Sequence, residues 1–410
     1  MFDLIVVGCG PAGLMGAVTA AERGCSVLIC EYLPAPGRKL LASGAGKCNF
    51  TNILEPEEMA GRFCANNRFL LPSLRNFSSS AAREWFFRRG VPAITEDDFH
   101  FFPKSKKASD LLDVLLNECR RLGVELRCRC EVENVITEEN SVKGVIVNKE
   151  FIAAKAVLLA CGGRSYPKLG ATGKGYLLAE QAGHKLIPTV PALVGLKLKE
   201  EWGSAMPGII LPAAQMTFGK RSGRVGELIF THSGISGPAV LDLSGEINKV
   251  LLTETEVAVT LNLKAEYTRD DWMTIIQKWR KENGKKQLST LLTGEFPSHF
   301  AQRLTELSAI PADRKTALLS SQEQAALLQN LTALPVTVNG NDGWLKAMAT
   351  AGGVSPDEVK ANSLESKLTG GLFFAGEMLD IGAPCGGYNI QWAFSSARLA
   401  AAKAAAVSQE

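Results

Sequence analysis

A chain of 410 residues exceeds one ordinary hydrophobic core and implies two or three domains. With 46% apolar and 21% charged residues and no long low-complexity tract, it reads as a soluble globular protein. A net charge of +3 argues against a nucleic-acid partner, although a local basic patch would be compatible with it.

No basic leader precedes the first apolar run, and no stretch approaches the ~20 apolar residues that span a bilayer. A cytoplasmic protein without a membrane partner is therefore expected. Ten cysteines accompany only four histidines, and Cys9, Cys25, Cys30 and Cys161 sit inside apolar runs. Cys128 and Cys130 are the only close pair, so free thiols are expected and no metal site.

Asp3–Val7 is a continuous apolar run of the buried parallel-strand kind. Gly8-Cys-Gly10-Pro-Ala-Gly13 follows, then helical spacing at Leu14, Val18 and Ala21 up to Gly24, and a second strand Ser26–Cys30 ending on Glu31. Gly8 permits a tight turn, Gly10 lets a pyrophosphate approach the backbone, and Gly13 lets the helix pack closely on the strand. The helix start offers unpaired N–H groups to phosphates. Glu31, 18 residues after Gly13, suits ribose hydroxyls and disfavours a 2′-phosphate. Strand, glycine turn, helix, strand and acid together predict a dinucleotide site.

A second buried strand, Lys155–Ala160, runs into Cys161-Gly162-Gly163, and a third, Gly371–Ala375, runs into Gly376-Glu377. Gly386-Gly387-Tyr388-Asn389 then opens a helix through Ile390 to Phe394. A sheet completed only after a long excursion favours FAD over NAD, with Glu377 on the ribitol hydroxyls and the last helix start at the flavin C2 carbonyl.

Four blocks carry a specific resemblance: Gly37–Asn52, Phe230–Pro238, Thr350–Val354 and Ala375–Asp380 through Asn389. On these the chain resembles the HI0933-like flavoprotein family, whose members include proteins of aminoacetone-oxidase and bile-acid-reductase (BaiN) type. The resemblance implies non-covalent FAD with contacts at Ala12, Glu31, Arg38, Lys39, Val132 (through its backbone, at the adenine), Glu377, Asn389 and Ile390. Gly8, Gly10, Gly13, Ser43, Gly44, Lys47, Cys161, Gly162, Gly376 and Gly387 complete the expected cofactor-binding set. Lys47 stands where the family usually has arginine, exchanging a planar contact for a point charge. Pro384-Cys385 fills a variable position beside the expected ring.

Residues 55–130 read as mostly helical, with an amphipathic helix at 109–122 and a strand at 124–130. Strand-like stretches follow at 194–198, 213–218, 225–230 and 257–263, helices at 270–282 and 322–331, and a strand at 335–338. The expected fold class is α/β: a Rossmann-type, glutathione-reductase-like FAD-binding domain (1–188 and 352–410) with a β-rich insert (189–266 and 333–351) and a nested helical insert (267–332).

Gly170–Gly175 lacks the Ser or Thr and the glycine spacing of a phosphate loop, so an NTPase is rejected. Lys104–Lys107 reads as a solvated face, with a phosphate contact as the alternative. Lys47 either stabilises anionic reduced flavin or contacts backbone carbonyls. Cys48 reads as packing, without a CxxC partner for disulfide chemistry. His232 reads as a structural hydrogen-bonding residue before an acid–base one, and Tyr388 as packing or proton donor. These three, Lys47, Tyr388 and His232, are the catalytic candidates.

The expected function is FAD-dependent oxidation or reduction of a small or mid-sized organic substrate held between flavin and insert. Either NAD(P)H is a transient reductant or the substrate is an amine oxidised directly. The alternative is a flavin-bound sensor or adaptor whose insert binds a protein or RNA. Neither substrate nor oligomeric state follows from these residues.

Overall fold

The computed structural model describes residues 1–63 and 67–409. The chain forms two units, residues 1–190 with 348–410 and residues 191–347.

The first unit is built on a parallel sheet. Strand β1 (Phe2–Val7), helix α1 (Pro11–Ala21) and strand β2 (Val27–Glu31) form the expected opening unit. Leu4 aligns with Val27 on one side and with Ala156 on the other. The parallel strands run in the order 125–128, β2, β1, 150–159, 372–374. Leu4, Ile5, Leu28, Ile29, Val157, Leu158, Phe373 and Phe374 are all fully buried, as strands covered on both faces require. The 150–159 strand begins half-exposed, pairing antiparallel with 141–147, and ends buried beside β1.

Strand 141–147, which pairs antiparallel with 132–138 and 150–159 to make a meander, is additional to the expected strands. Its turns place Glu139 and Asn140, then Asn148 and Lys149, at positive φ, the two-residue geometry whose twist suits a hairpin. The 55–130 stretch is less helical than its pattern predicts. Helices 56–60, 67–76, 79–87 and 108–121 are joined by a small sheet of 51–52, 100–103 and 93–95. The final helix, 388–409, crosses α1 where a methyl on Gly16 would lie 3.7 Å from the Ala397 methyl, and Ala397, Ala400, Ala401, Ala404 and Ala405 carry its buried side.

His184 lies in this core against Phe374, its Nε2 bonded to Ser366 Oγ at 2.8 Å and its Nδ1 3.2 Å from Glu358 Oε2. Burial lowers its pKa below the ordinary 6.5, opposed by Glu358. Above about 6.5 folded and unfolded rings are both neutral; below it the unfolded ring takes a proton that the folded ring resists. Thermal stability is therefore expected to fall from about pH 7.5 to about pH 5.5, and the fall to shrink in His184→Gln.

The second unit is an antiparallel barrel. Its strands run 221–222, 210–218, 226–230, 234–236, 196–198, 334–341, 257–262, and 257–262 pairs back onto 210–218. Helix Pro238–Val250, additional to the expected elements, starts at Pro238 after Gly237 and buries Ala239, Val240, Leu243 and Ile247. The 269–333 helices share the barrel's core: Trp272 stacks on Phe296, and Phe300 meets Phe230 at 5.5 Å. Capping boxes at Thr268–Asp271 and Ser320–Glu323 fix where two of them begin.

Among the described residues no helix is long and apolar enough to cross a membrane, and no cluster of three or more His, Cys, Asp or Glu could hold a metal. The described cysteines are free thiols; Cys64 lies outside the described residues.

Candidate functional site: a dinucleotide cleft and the start of the last helix

The glycines of the first turn have separable roles. Gly8 sits at φ +99°, and a Cβ there would be 2.7 Å from the Ala160 carbonyl oxygen. A Cβ on Gly13 would be 1.9 Å from the Gly8 carbonyl oxygen and 3.3 Å from Val6, so helix and strand touch there. Gly10 is different: a Cβ would meet nothing within 4 Å. That open space stands at the α1 N-terminus, where no side chain caps the free N–H groups.

Glu31 is held at the end of β2 by two backbone donors. Cys9 N–H donates to its Oε2 at 2.7 Å and Leu33 N–H to its Oε1 at 2.8 Å. Beyond it opens a cleft lined by Gly8, Cys30, Glu31, Val132, Cys161 and Lys174, among others. Val132, expected at an adenine, therefore lines the same cleft as Glu31, expected at a ribose. Lys174 pairs with Glu131 and lies over the Tyr32 ring at 4.7 Å. Burial, with Glu31 adding to it, pushes the Cys161 thiol up to about 12, and its Sγ points at Val7 O from 3.4 Å. It lines the cleft as a neutral thiol.

A second cluster centres on Glu377. Its Oε2 takes Lys39 Nζ at 2.6 Å and Gly163 N–H at 3.3 Å; its Oε1 takes Thr350 N–H at 2.6 Å and Ser165 Oγ at 3.4 Å. Lys39 also donates to Ser165 at 2.5 Å. Lys39 and Glu377, expected as separate cofactor contacts, are thus an ion pair with 29% and 22% side-chain exposure. Arg38 is exposed, and Gly37 ahead of it bonds Cys9 O through its N–H at 3.0 Å. Gly376 turns at φ +66°, with Ala12 so near that a Cβ would lie 3.2 Å from its methyl. Tyr176, a buried phenol that burial holds well above its ordinary pKa, donates to the Glu377 carbonyl at 3.0 Å.

The third cluster surrounds the start of the last helix. Asn52 Nδ2 donates to Gly386 O at 2.9 Å. With its amide oriented to satisfy both neighbours, Asn49 donates to Thr51 O and accepts from Gly387 N–H at 3.2 Å. A Cβ on Gly387 would strike Thr51 O at 2.6 Å. The 43–52 loop is thereby fastened to the Gly386–Gly387 pair, and Asn389 and Ile390 stand half-buried in the helix's first turn. Ser43 closes on Leu40 O at 2.6 Å, and Gly44 takes φ +55°. Gly162 is likewise left-handed, at φ +73°.

Of the catalytic candidates, Lys47 is exposed and its charge acts on Glu96. Tyr388 is buried with its ring edge-on to Phe63 at 5.9 Å. His232 belongs to the second unit, exposed in the turn between strands 226–230 and 234–236. Cys48 is fully buried, and burial, opposed by a Ser43 hydrogen bond, pushes its thiol up to about 12. It packs.

The residues missed by sequence reasoning are Asn49, Asn52, His100, Ser165, Tyr176 and Thr350. Asn49, Asn52 and Thr350 sit inside conspicuous blocks, and Ser165 two residues after Gly163, so those segments were marked although their partners were not. His100 carried no local signal. The donors and open space at Gly10, the fixed acid at Glu31 and the N–H groups at the last helix start fit the phosphate, ribose and ring ends of FAD.

A ribosomal RNA dihydrouridine synthase of Escherichia coli K12 is 33% identical over 97% of this chain and 96% of its own. A 3-dehydro-bile acid delta(4,6)-reductase of Clostridium scindens is 32% identical over 98% of each. Among solved structures, 3-ketosteroid delta1-dehydrogenase from Sterolibacterium denitrificans shares the fold, at TM-score 0.52 and 13% identity over 99% of both chains. Residues 2–403 match the HI0933-like protein Rossmann domain, and the chain belongs to that family of FAD-dependent oxidoreductases.

Proposed function

We propose that this chain holds FAD non-covalently along its first unit and reduces a carbon–carbon double bond conjugated to a carbonyl. Gly8, Gly10, Ala12 and Gly13 would hold the pyrophosphate, Glu31 a ribose, Val132 the adenine, Arg38, Lys39 and Glu377 the ribityl–phosphate stretch, and Asn389 and Ile390 the ring. When bound, the flavin supplies the hydride.

The observation that carries the reading is the fastening of the 43–52 loop onto Gly386–Gly387. It sets polar side chains beside a helix N-terminus, where a carbonyl gaining negative charge is stabilised. The names of the E. coli and C. scindens relatives support the chemistry. Dihydrouridine is uridine with its carbonyl-conjugated ring bond saturated, and a delta(4,6)-reductase saturates bonds conjugated to a 3-ketone. A uracil base in RNA therefore joins small enones among the substrates to test, in place of the nucleic-acid-free expectation drawn from net charge.

The test is anaerobic stopped-flow absorbance at the flavin band. NADH or NADPH is expected to bleach the yellow protein, and a ribosomal RNA fragment or a 3-keto-4-ene steroid to restore the colour at a rate above buffer alone. Bleaching by amines but by neither nicotinamide would replace the reductase with an oxidase. Lack of reduction by any small molecule would favour a sensor or adaptor.

A further inference from the structure

His100 opens the 100–103 strand of the small sheet, opposite Asn52, whose amide grips the Gly386 carbonyl. Its imidazole is oriented from both sides. Nδ1 bonds Asp97 Oδ2, and the ring stands edge-on to Phe99 at 4.9 Å. Nε2 faces the glycine pair: a Cβ on Gly386 would lie 3.1 Å from it. Gly386 holds φ +132°, so a side chain there would strain the backbone and crowd the imidazole. His100 keeps 24% of its side chain exposed, so the imidazole is open to a small molecule.

Asp97 is itself fixed. It accepts the N–H of His100 at 2.8 Å and of Phe99 at 3.1 Å. Desolvation raises its pKa, but these N–H groups and the imidazole outweigh it and hold the carboxyl down at about 2. An ionised carboxylate on Nδ1 fixes the tautomer of the neutral ring and compensates the charge of the protonated one, which then presents an Nε2–H.

We propose that His100, oriented by Asp97, is the proton donor of the reduction, delivering its Nε2 proton to a substrate lying against Gly386–Gly387. The inference rests on the reductive reading above. The hydride adds to the β-carbon, the alkene pair moves toward the carbonyl, and the α-carbon takes the proton from Nε2. One C–H bond forms from each source, the imidazolium becomes neutral imidazole, and solvent restores its proton. The two electrons come from the nicotinamide by way of the cofactor.

The experiment compares wild type, His100→Gln and Asp97→Asn in two separate half-reactions, with the bound-flavin spectrum and Tm as further readouts. All three are expected to stay yellow with matching Tm and to be bleached by nicotinamide within about twofold of each other. Reoxidation by the enone is expected to slow ~100-fold in His100→Gln, the low end of what a positioned general acid contributes, and ~10-fold in Asp97→Asn, which removes only its orientation. Unchanged reoxidation in His100→Gln, with a competent wild type, overturns the donor alone. Loss of flavin or slowed bleaching with normal reoxidation assigns His100 to the cofactor and also overturns it. A wild type that no enone reoxidises overturns the reductive reading and this proposal with it. If His100→Gln fails to fold, Asp97→Asn still decides, because an unimpaired Asp97→Asn removes the oriented donor.

Discussion

Gly10→Ala is expected to give a colourless protein of normal stability, whereas Gly13→Ala gives a colourless protein that is also destabilised. The two glycines are three residues apart, yet they meet different surroundings. A methyl on Gly10 enters empty space at the mouth of α1, so the apoprotein should lose no more than about 0.5 kcal/mol, the scale of a changed helix cap. The same methyl occupies the volume through which, in the proposed placement of FAD, the pyrophosphate would approach the N–H groups. FAD affinity should drop ~100-fold or more, equivalent to about 2.7 kcal/mol. At Gly13 the methyl would stand 1.9 Å from the Gly8 carbonyl oxygen, a backbone atom that moves only with the whole turn. Separating helix from strand there should cost about 3 kcal/mol, the upper part of the overpacking range. Each kcal/mol corresponds to about 2–4 °C in Tm for a domain of this size. FAD titration by fluorescence quenching and apoprotein melting separate the two effects. A Gly10→Ala protein that retains FAD at wild-type affinity would remove the dinucleotide from this turn.

The close packing at Gly13 and the open space at Gly10 were legible in the sequence, because the roles expected of these glycines follow from spacing within one strand–turn–helix unit. Local elements read well for the same reason: 109–122 is observed at 108–121, and 270–282 at 269–282. What was not legible depends on pairing across the chain. The strand partners of 100–103 are two and three residues long, too short for any periodicity, so the sheet that positions His100 left no trace. The 132–159 meander had its turn residues in plain view at Asn140 and Asn148, but glutamate and lysine beside them are weak markers of positive φ. Glu377 was placed correctly at the end of its strand, yet its bonding partners come from residues 39, 163, 165 and 350. Only tertiary packing brings those segments to one carboxylate. The cost is an altered role: a side chain expected to stand ready for a ligand also ties four segments of the unit together.

Glu377→Gln is accordingly expected to damage the first unit as well as the cofactor site. The amide keeps the shape but replaces one acceptor oxygen by an NH2 facing donors. Whichever way it turns, either Thr350 N–H or the Lys39 ammonium with Gly163 N–H loses its acceptor. Unsatisfied and like-donor contacts in a half-buried setting should cost about 2–3 kcal/mol. Lys39→Met is milder, about 1 kcal/mol, because Glu377 keeps two backbone N–H donors and its exposure supplies water. In the double variant the amide no longer confronts an ammonium, so the combined loss should fall short of the sum by about 1–2 kcal/mol. Urea unfolding of the three apoproteins measures that coupling, and the same samples titrated with FAD show whether affinity follows it. Additivity within about 0.5 kcal/mol would mean the ion pair contributes nothing beyond its separate hydrogen bonds. Coupling in stability without any loss of FAD affinity would leave Glu377 as a strut of the fold and remove it from the ribityl contacts.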